Sequence, residues 1–207
     1  MQRICKIYLS WIIYRFVGGR IMKLTARDEK IIEYIKTVSV ADTTTLNEIF
    51  FNNSTRSCQR RMKLLTDAKL VKRLERKYLN QEYVYYVSRV PKQLEHKLLF
   101  SQLVGKMHSV GAEIIKVKSP LCVGNIIADG FVVYKLNDRV RMALVEVERS
   151  KEFDKDKYIE IANVKEFKDM FPVKPLIVVL SDNKPVNMDL FKIINIKTDF
   201  SDINNIF

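Results

Sequence analysis

Cysteine and histidine are too few and too far apart in this chain to build a metal centre or a disulfide framework. The three cysteines, Cys5, Cys58 and Cys122, are odd in number and form no C-x-x-C pair, the spacing typical of thiolate zinc and redox motifs. The two histidines, His96 and His108, lie twelve positions apart, and neither has a second ligand at the four-residue spacing of a helical zinc site. We therefore expect reduced thiols, as in a cytoplasmic protein.

Glycine and long apolar runs are also scarce. The six glycines are scattered and form no glycine-rich phosphate loop, so nucleotide-dependent chemistry has no support. The apolar opening is interrupted by Lys6 and Arg15, is too short for a span of ~20 apolar residues, and lacks a good signal-peptide cleavage site. We expect no membrane span. Residues 1–23 are interpreted as a short amphipathic extension, with Met22 as an alternative initiator.

Positive charge is abundant and unevenly distributed. The chain carries 36 Lys and Arg against 24 Asp and Glu, a net charge of +12. Residues 22–92 hold 15 basic and 8 acidic residues, whereas residues 150–207 hold 9 and 10. Because clustered cations supply the sequence-independent part of nucleic-acid affinity, the front half is expected to contact a polyanion. Nucleic acid is one candidate, and an anionic membrane surface is the alternative.

The front segment, residues 24–90, has the pattern of three helices followed by a β-hairpin. Apolar residues recur at helical spacing after capping residues at Thr25, at Asp42 or Thr43, and at Ser54 or Thr55. Two β-rich runs, LVKRLER and EYVYYVS, then flank the polar tip KYLNQ. This order is typical of a winged helix-turn-helix, in which the third helix enters a major groove of double-stranded DNA.

The third helix is predicted to be amphipathic, with Cys58, Met62 and Leu65 facing inward. Its remaining face is then basic, and Arg and Gln side chains can pair with guanine and adenine edges. Cations of the hairpin are expected to reach phosphates, although a charged helix face is also common as a merely solvated surface. The predicted DNA-binding residues are Arg56, Gln59, Arg60, Arg61 and Lys63 on the helix, and Lys72, Arg73, Arg76 and Lys77 in the hairpin.

The back segment, residues 93–207, has the pattern of an α/β domain. A helix over 93–109 precedes strands in 112–118 and 126–148, with a hairpin turn at Asn137 and Asp138. A crossover helix over 150–171 and a strand in 175–181 predict a mixed sheet with a parallel pair. A short helix and an edge strand are expected within residues 183–200. The predicted class is therefore α/β (α+β), with a small mixed-sheet domain after the helical one.

Three carboxylates form the candidate site of this back segment: Asp129 in IADGF, and Glu146 and Glu148 in LVEVE. Alternation places the two glutamates on one strand face, and a hairpin can bring Asp129 beside them. Such a cluster requires a cation or basic partners. Three interpretations stay open, namely structural pairing with neighbouring Lys and Arg, a metal site that positions DNA, and a nuclease centre.

The order of these motifs resembles the core of the PD-(D/E)xK nuclease superfamily, although AD replaces the PD pair and Glu148 stands where a lysine is expected. Over residues 24–180 the chain also resembles the replication-relaxation family of plasmids and integrative elements in Gram-positive bacteria. The matching positions are Asp129, Glu146, Glu148, Arg149, Lys157 and Tyr158. The resemblance implies Asp129, Glu146 and Glu148 as possible Mg²⁺ ligands, and these with Lys157 as catalytic residues if the protein cleaves DNA.

This membership implies a cytoplasmic, sequence-specific double-stranded DNA-binding accessory protein for plasmid or mobile-element replication or mobilisation. Homodimers and replication or relaxase proteins are its possible partners. Two alternatives remain: a Mg²⁺-dependent endonuclease, and a dimeric winged-helix transcriptional repressor.

Overall fold

The computed structural model describes residues 14–17, 20–76, 78, 80–124, 126–149 and 152–206. It contains 37% helix and 25% strand with mixed sheets, so the predicted α/β class is confirmed. None of the helices within these ranges is both long and apolar enough to cross a bilayer. Within the expected N-terminal extension, strands β1 (Tyr14–Val17) and β2 (Arg20–Lys23) pair antiparallel, and the rest of residues 1–22 lies outside the description.

The front segment begins with helix α1, Ala26–Val38, as its cap and apolar spacing predict. A capping box starts the helix: Asp28 N–H donates to Thr25 Oγ1 at 3.3 Å, and Thr25 N–H donates to Asp28 Oδ2 at 2.7 Å. These two bonds satisfy backbone donors that a helix N-terminus otherwise leaves free. Ile31 and Ile35 are fully buried on the inner face of α1.

Two further helices and a small three-stranded sheet complete this half. The predicted three helices and the pairing of the two hairpin strands are therefore confirmed. Asp42 caps the second helix by accepting from Thr45 N–H at 2.8 Å. The hairpin strands are shorter than the apolar runs predicted, and an unpredicted strand joins them in the order β3-β5-β4. The elements are β3 (Ala41–Asp42), α2 (Thr43–Phe50), α3 (Thr55–Asp67), β4 (Lys72–Arg73) and β5 (Val84–Tyr86).

The inner face of α3 is the one that periodicity predicts. Cys58, Met62 and Leu65 are fully buried in a cluster with Ile31 of α1 and Tyr85 of β5. Burial of apolar side chains from all three helices and the hairpin gives this half its own core. The opposite face of α3 is consequently turned to solvent.

The back segment starts with helix α4, Leu94–Ser109, which ends before Gly111 at a positive φ of 94°. A five-stranded sheet follows in the order β12-β11-β10-β9-β6. The pair β10 and β11 is parallel, as predicted, and β12 adds a second parallel pair at the edge. The strands are β6 (Glu113–Lys118), β7 (Leu121–Val123), β8 (Ile126–Ala128), β9 (Gly130–Leu136), β10 (Arg139–Val147), β11 (Leu176–Leu180) and β12 (Ile193–Ile196).

The predicted turn between β9 and β10 is confirmed, since Asn137 and Asp138 adopt φ values of 50° and 58°. Two consecutive residues at positive φ are characteristic of a type I′ hairpin turn, which Asn and Asp tolerate best after glycine. The small hairpin of β7 and β8 was not predicted as a separate unit.

Two helix predictions in the back segment were wrong. The crossover is two short helices, α5 (Lys155–Ile161) and α6 (Lys165–Met170), because the chain leaves helical geometry at Val164. The short helix predicted within residues 183–200 is absent from that described stretch, and a 3₁₀ helix forms after it, at Ile203–Ile206. Within residues 183–200 the Asn195 side chain holds Val186 through two bonds, of 2.8 and 2.9 Å, which satisfy its backbone groups without a helix.

Helix α4 packs against both halves of the molecule. On the front side, Tyr34 Oη donates to Ser101 O at 3.1 Å, and Gln102 Nε2 donates to Asp42 Oδ2 at 2.6 Å. Gly105 permits this close approach, since a Cβ there would lie 2.8 Å from a Glu48 carboxylate oxygen. On the other side α4 contributes to the core beneath the large sheet. The expected boundary between domains, near residue 91, thus falls in the loop before a shared helix.

Candidate nucleic-acid interface and acidic cluster

The outer face of α3 presents long polar side chains to solvent. Arg56, Gln59 and Arg60 are exposed, and within the described residues none of the three forms an ion pair. Lys63 is exposed as well, but its Nζ lies 2.7 Å from Asp67 Oδ2 one helical turn later. An exposed pair of this kind contributes little energy and is easily exchanged for another anion.

Arg61 has a different environment from its neighbours. Its Nε donates to Asp28 Oδ1 at 2.7 Å, its Nη2 contacts Asp28 Oδ2, and the same Nη2 donates to Lys23 O at 3.0 Å. The Asp28 side chain is fully buried. The expectation that Arg61 contacts DNA is therefore corrected. This guanidinium holds α3 against the start of α1, and its charge is neutralised inside the protein.

The hairpin cations surround the ring of Tyr83. The guanidinium carbons of Arg73 and Arg76 lie 4.1 and 3.9 Å from the ring centroid. Arg76 Nη2 also donates to Tyr83 Oη at 2.7 Å, and Lys72 Nζ donates to Ser88 O at 2.9 Å. Tyr83 and Ser88 are neutral, so they order the side chains of Arg73 and Lys72 without neutralising their charge. Lys77, also predicted to bind DNA, lies outside the described residues.

Helix α3 and the hairpin border one cleft of about 180 Å³. Thr55 and Gln59 line it from α3, and Arg76 and Asn80 line it from the hairpin. Asn47 joins the lining from α2, and its buried Oδ1 has no hydrogen-bond partner among the described atoms. Neither Thr55 nor Asn47 was predicted to belong to the interface. The position of Thr55 at the start of α3 was the signal in the sequence that could have identified it.

The acidic cluster of the back segment is assembled from three elements. Glu146 of β10 is buried, and its Oε1 accepts from Lys157 Nζ of α5 at 2.8 Å and from the Tyr158 hydroxyl. Asp129, between β8 and β9, accepts from Val147 N–H at 2.9 Å through Oδ2. The hairpin thus places Asp129 beside the end of β10 that carries Glu146, and the crossover brings Lys157 of α5 to Glu146.

Glu148 and Arg149 lie beyond the end of β10. Glu148 is half-buried, and its backbone N–H donates to Leu180 O at 2.8 Å. Burial first, and then the charges of Glu146 and Asp129, raise the pKa of Glu148. Arg149 forms an ion pair with Glu95 of α4. The negative charges of the cluster therefore raise the pKa of Glu148, whereas Arg149 links the end of β10 to α4 through its ion pair.

Two residues of α4 belong to this region and were not predicted as site residues. His96 Nδ1 lies 3.8 Å from Asp129 Oδ2, and Lys97 Nζ donates to Asp129 O at 3.3 Å and to Ser119 Oγ at 3.1 Å. Burial lowers the pKa of Lys97, and the charges of Asp129 and Glu146 oppose that shift. No local motif marks these residues, because they reach the cluster only through the packing of α4 on the sheet.

The arrangement does not match the Mg²⁺ site that the resemblance implied. In the part of the chain that the structure describes, no group of three or more His, Cys, Asp or Glu side chains is placed to hold a metal ion. Glu146 is already neutralised by Lys157 and bonded by Tyr158, while Asp129 is bonded to backbone. The expectation that Asp129, Glu146 and Glu148 bind Mg²⁺ together is therefore corrected. In this structure Glu146 is paired with a lysine and a tyrosine hydroxyl, and Asp129 accepts a hydrogen bond from the backbone.

The raised pKa of Glu146 can be tested by measuring stability as a function of pH. Burial raises its pKa above the ordinary 4.5, although Lys157 and Tyr158 oppose the shift. A raised carboxyl pKa means that the folded state binds the proton more tightly than the unfolded state. The wild-type protein should therefore lose stability relative to Glu146→Gln as pH rises from 4.5 through the folded pKa. Urea unfolding of both proteins from about pH 4 to about pH 8 measures this difference.

The exposed Glu160 offers a matched control, Glu160→Gln. A stability difference between wild type and Glu146→Gln that does not change with pH would contradict the raised pKa.

The chain was compared with protein-family models and with curated proteins. No family model matches it, and no curated protein matches it.

Proposed function

We propose that this protein binds double-stranded DNA through a winged helix-turn-helix formed by residues 24–90. The observation that carries the proposal is the position of Arg56, Gln59 and Arg60, exposed on α3 beside a cleft shared with Arg76 of the hairpin. A third helix with an adjoining β-hairpin is the arrangement that places a helix in the major groove. Asp67, at the end of α3, is the sole acidic residue within that helix.

The side chains divide by the kind of contact they can make. Arginine can bind the O6 and N7 atoms of guanine in a bidentate manner, and glutamine can do so with adenine. We assign this base-reading role to Arg56, Gln59 and Arg60. The hairpin cations Arg73 and Arg76 are assigned to phosphates, because ordered guanidinium groups position a protein on the backbone without reading sequence.

The back segment is proposed to be a PD-(D/E)xK-like domain that serves in DNA positioning or protein contacts. Its acidic cluster supports this role better than cleavage, since Glu146 is paired with Lys157 and Tyr158. The context rests on the order of the sequence motifs, which favours membership of the replication-relaxation family. The protein would then be an accessory factor for plasmid or mobile-element replication or mobilisation, with a second copy or a relaxase as partner.

Sequencing the DNA that crosslinks to the protein in cells tests this function. We expect enrichment of a replication or transfer origin, and a recurring site within it, because base contacts by α3 confer preference for one sequence. A variant with Arg56→Ala and Arg60→Ala is the control and should lose that enrichment. Enrichment at promoters would favour a repressor, and recovery of DNA without any preferred site would contradict sequence-specific binding.

The meeting of Asp129, Glu146 and Lys157 favours one alternative, a Mg²⁺-dependent endonuclease. Incubation of purified protein with supercoiled plasmid and either Mg²⁺ or Mn²⁺ distinguishes the two. We expect the plasmid to stay supercoiled. Nicking that disappears in Glu146→Ala would establish the endonuclease instead.

A further inference from the structure

A basic groove of about 750 Å³ lies between the end of α1, the segment after β5 and the start of α4. We call it the linker groove. Four cations line it, and no carboxylate lies among its described lining residues. The charged residues are Lys36, Arg89, Lys92 and Lys97.

The charge of the linker groove is largely uncompensated. Arg89 and Lys92 are exposed, and within the described parts of the chain neither forms an ion pair. Lys36 lies 3.8 Å from Glu33, but both side chains are more than half exposed, and such pairs are weak and screened by water. Lys97 is half-buried and lies near the carboxylates of Asp129 and Glu146, so the uncompensated charge is that of Lys36, Arg89 and Lys92. The groove therefore attracts an anion larger than a single carboxylate.

Both ends of the linker groove meet regions already described. At one end, Ser88 O accepts from Lys72 Nζ of the hairpin at 2.9 Å. At the other, Lys97 Nζ reaches Asp129 O at 3.3 Å, beside the acidic cluster. The groove thus lies between the hairpin and α4. An anion that contacts the hairpin and the groove together has to be extended, as a polymer is.

We infer that the linker groove binds the phosphate backbone of the DNA that flanks the α3 contact. The inference rests on the proposed function: Lys72 of the hairpin contacts Ser88 of the groove, so a duplex bound by the hairpin would extend toward the groove. Lysine and arginine neutralise phosphates without reading bases. Ser39, Ser88 and Gln93, which also line the groove, add neutral side chains able to donate hydrogen bonds to phosphate oxygens. The back segment is thereby brought to one side of the binding site.

The first experiment measures the salt dependence of DNA binding for a variant with Lys36→Ala, Arg89→Ala and Lys92→Ala. On a duplex of about 30 bp, the slope of log K against log salt should fall by about 0.9 for each phosphate that the variant no longer neutralises, hence by about 2 to 3. On a duplex of about 15 bp, long enough for one recognition helix but not for the flank, the slope should stay at the wild-type value.

A matched control separates a local contact from net charge. The variant with Lys165→Ala, Lys168→Ala and Lys192→Ala removes the same charge from exposed positions outside the groove. Its slope on the longer duplex should equal that of wild type. An equal fall in the control and in the groove variant would overturn the inference.

The second experiment locates the DNA directly. A photo-crosslinking amino acid replaces Val90, which lines the groove, or Val173, which is exposed but does not line it. We expect the longer duplex to crosslink at Val90 and not at Val173. Absence of a crosslink at Val90, with DNA binding intact, would overturn the inference.

The two variants also distinguish a failure of the groove inference from a failure of the proposed function. If Arg56→Ala with Arg60→Ala weakens binding while the groove variant does not, the groove inference fails and the proposed function stands. If only the groove variant weakens binding, the assignment of α3 fails and the groove remains a DNA contact.

Discussion

Replacing Arg61 by alanine is expected to lower the free energy of unfolding by about 3–5 kcal/mol, the usual consequence of leaving one partner of a buried ion pair unpaired. Asp28 is fully buried, and Arg61 supplies two of its hydrogen bonds and its neutralising charge. Without the guanidinium, Asp28 retains its capping-box partner Thr25 as its one side-chain partner in the described part of the chain. Urea unfolding at neutral pH measures the loss.

The neighbouring residue provides the control. Arg60 lies next to Arg61 on the same helix and is exposed, so Arg60→Ala should change stability by less than about 0.5 kcal/mol. Asp28→Asn in the Arg61→Ala background should recover part of the loss, because it removes the unpaired charge. Equal stability of Arg60→Ala and Arg61→Ala would show that the ion pair does not support the fold.

The same ion pair has a pH signature. Burial acts to raise the pKa of Asp28, but the hydrogen bonds from Arg61 and Thr25 outweigh it, so the pKa lies below the ordinary 3.8. The stability that this carboxylate contributes is therefore fully present above 3.8 and is lost as pH falls through the folded pKa. In Arg61→Ala this acid-dependent loss should disappear, because burial then acts without opposition from the guanidinium.

Replacing Arg56 and Arg60 together by alanine is expected to have the largest effect on DNA binding. Each side chain that makes a bidentate base contact should contribute about 1–3 kcal/mol, so the pair should cost up to about 6 kcal/mol. Stability should be unaffected, since both residues are exposed and within the described chain neither holds another residue through an ion pair. Fluorescence anisotropy with the duplex recovered by crosslinking measures the affinity.

The change in sequence preference and in salt dependence distinguishes a base contact from a phosphate contact. Removing a base contact relaxes sequence preference, whereas removing a phosphate contact weakens binding to all sequences and lowers the salt slope. The variant with Lys165→Ala and Lys168→Ala on α6 removes the same charge and should bind as wild type does. A binding curve unchanged by Arg56→Ala with Arg60→Ala at moderate salt would contradict the assignment of α3 as the recognition helix.

Local sequence patterns predicted much of the secondary structure of this protein. Helical spacing and capping residues predicted α1, α2 and α3, and the inward set of Cys58, Met62 and Leu65 follows from periodicity alone. The turn at Asn137 and Asp138 was also predicted. These features depend on residues close together in the chain, for which side-chain period and backbone preference are sufficient. The parallel pairing of β10 with β11 joins residues 33 positions apart, and it was predicted from the order of strand, crossover helix and strand.

Tertiary packing decided the rest, including the roles of the site residues. Arg60 and Arg61 are adjacent and chemically identical, yet only Arg61 meets a buried carboxylate, 33 positions away in the chain. His96 and Lys97 reach Asp129 because α4 packs on the sheet. Periodicity predicts which face of a helix or strand a residue occupies. The packing of the elements determines which residue lies opposite that face. It therefore also determines whether a charge is neutralised inside the protein or stays available to a ligand.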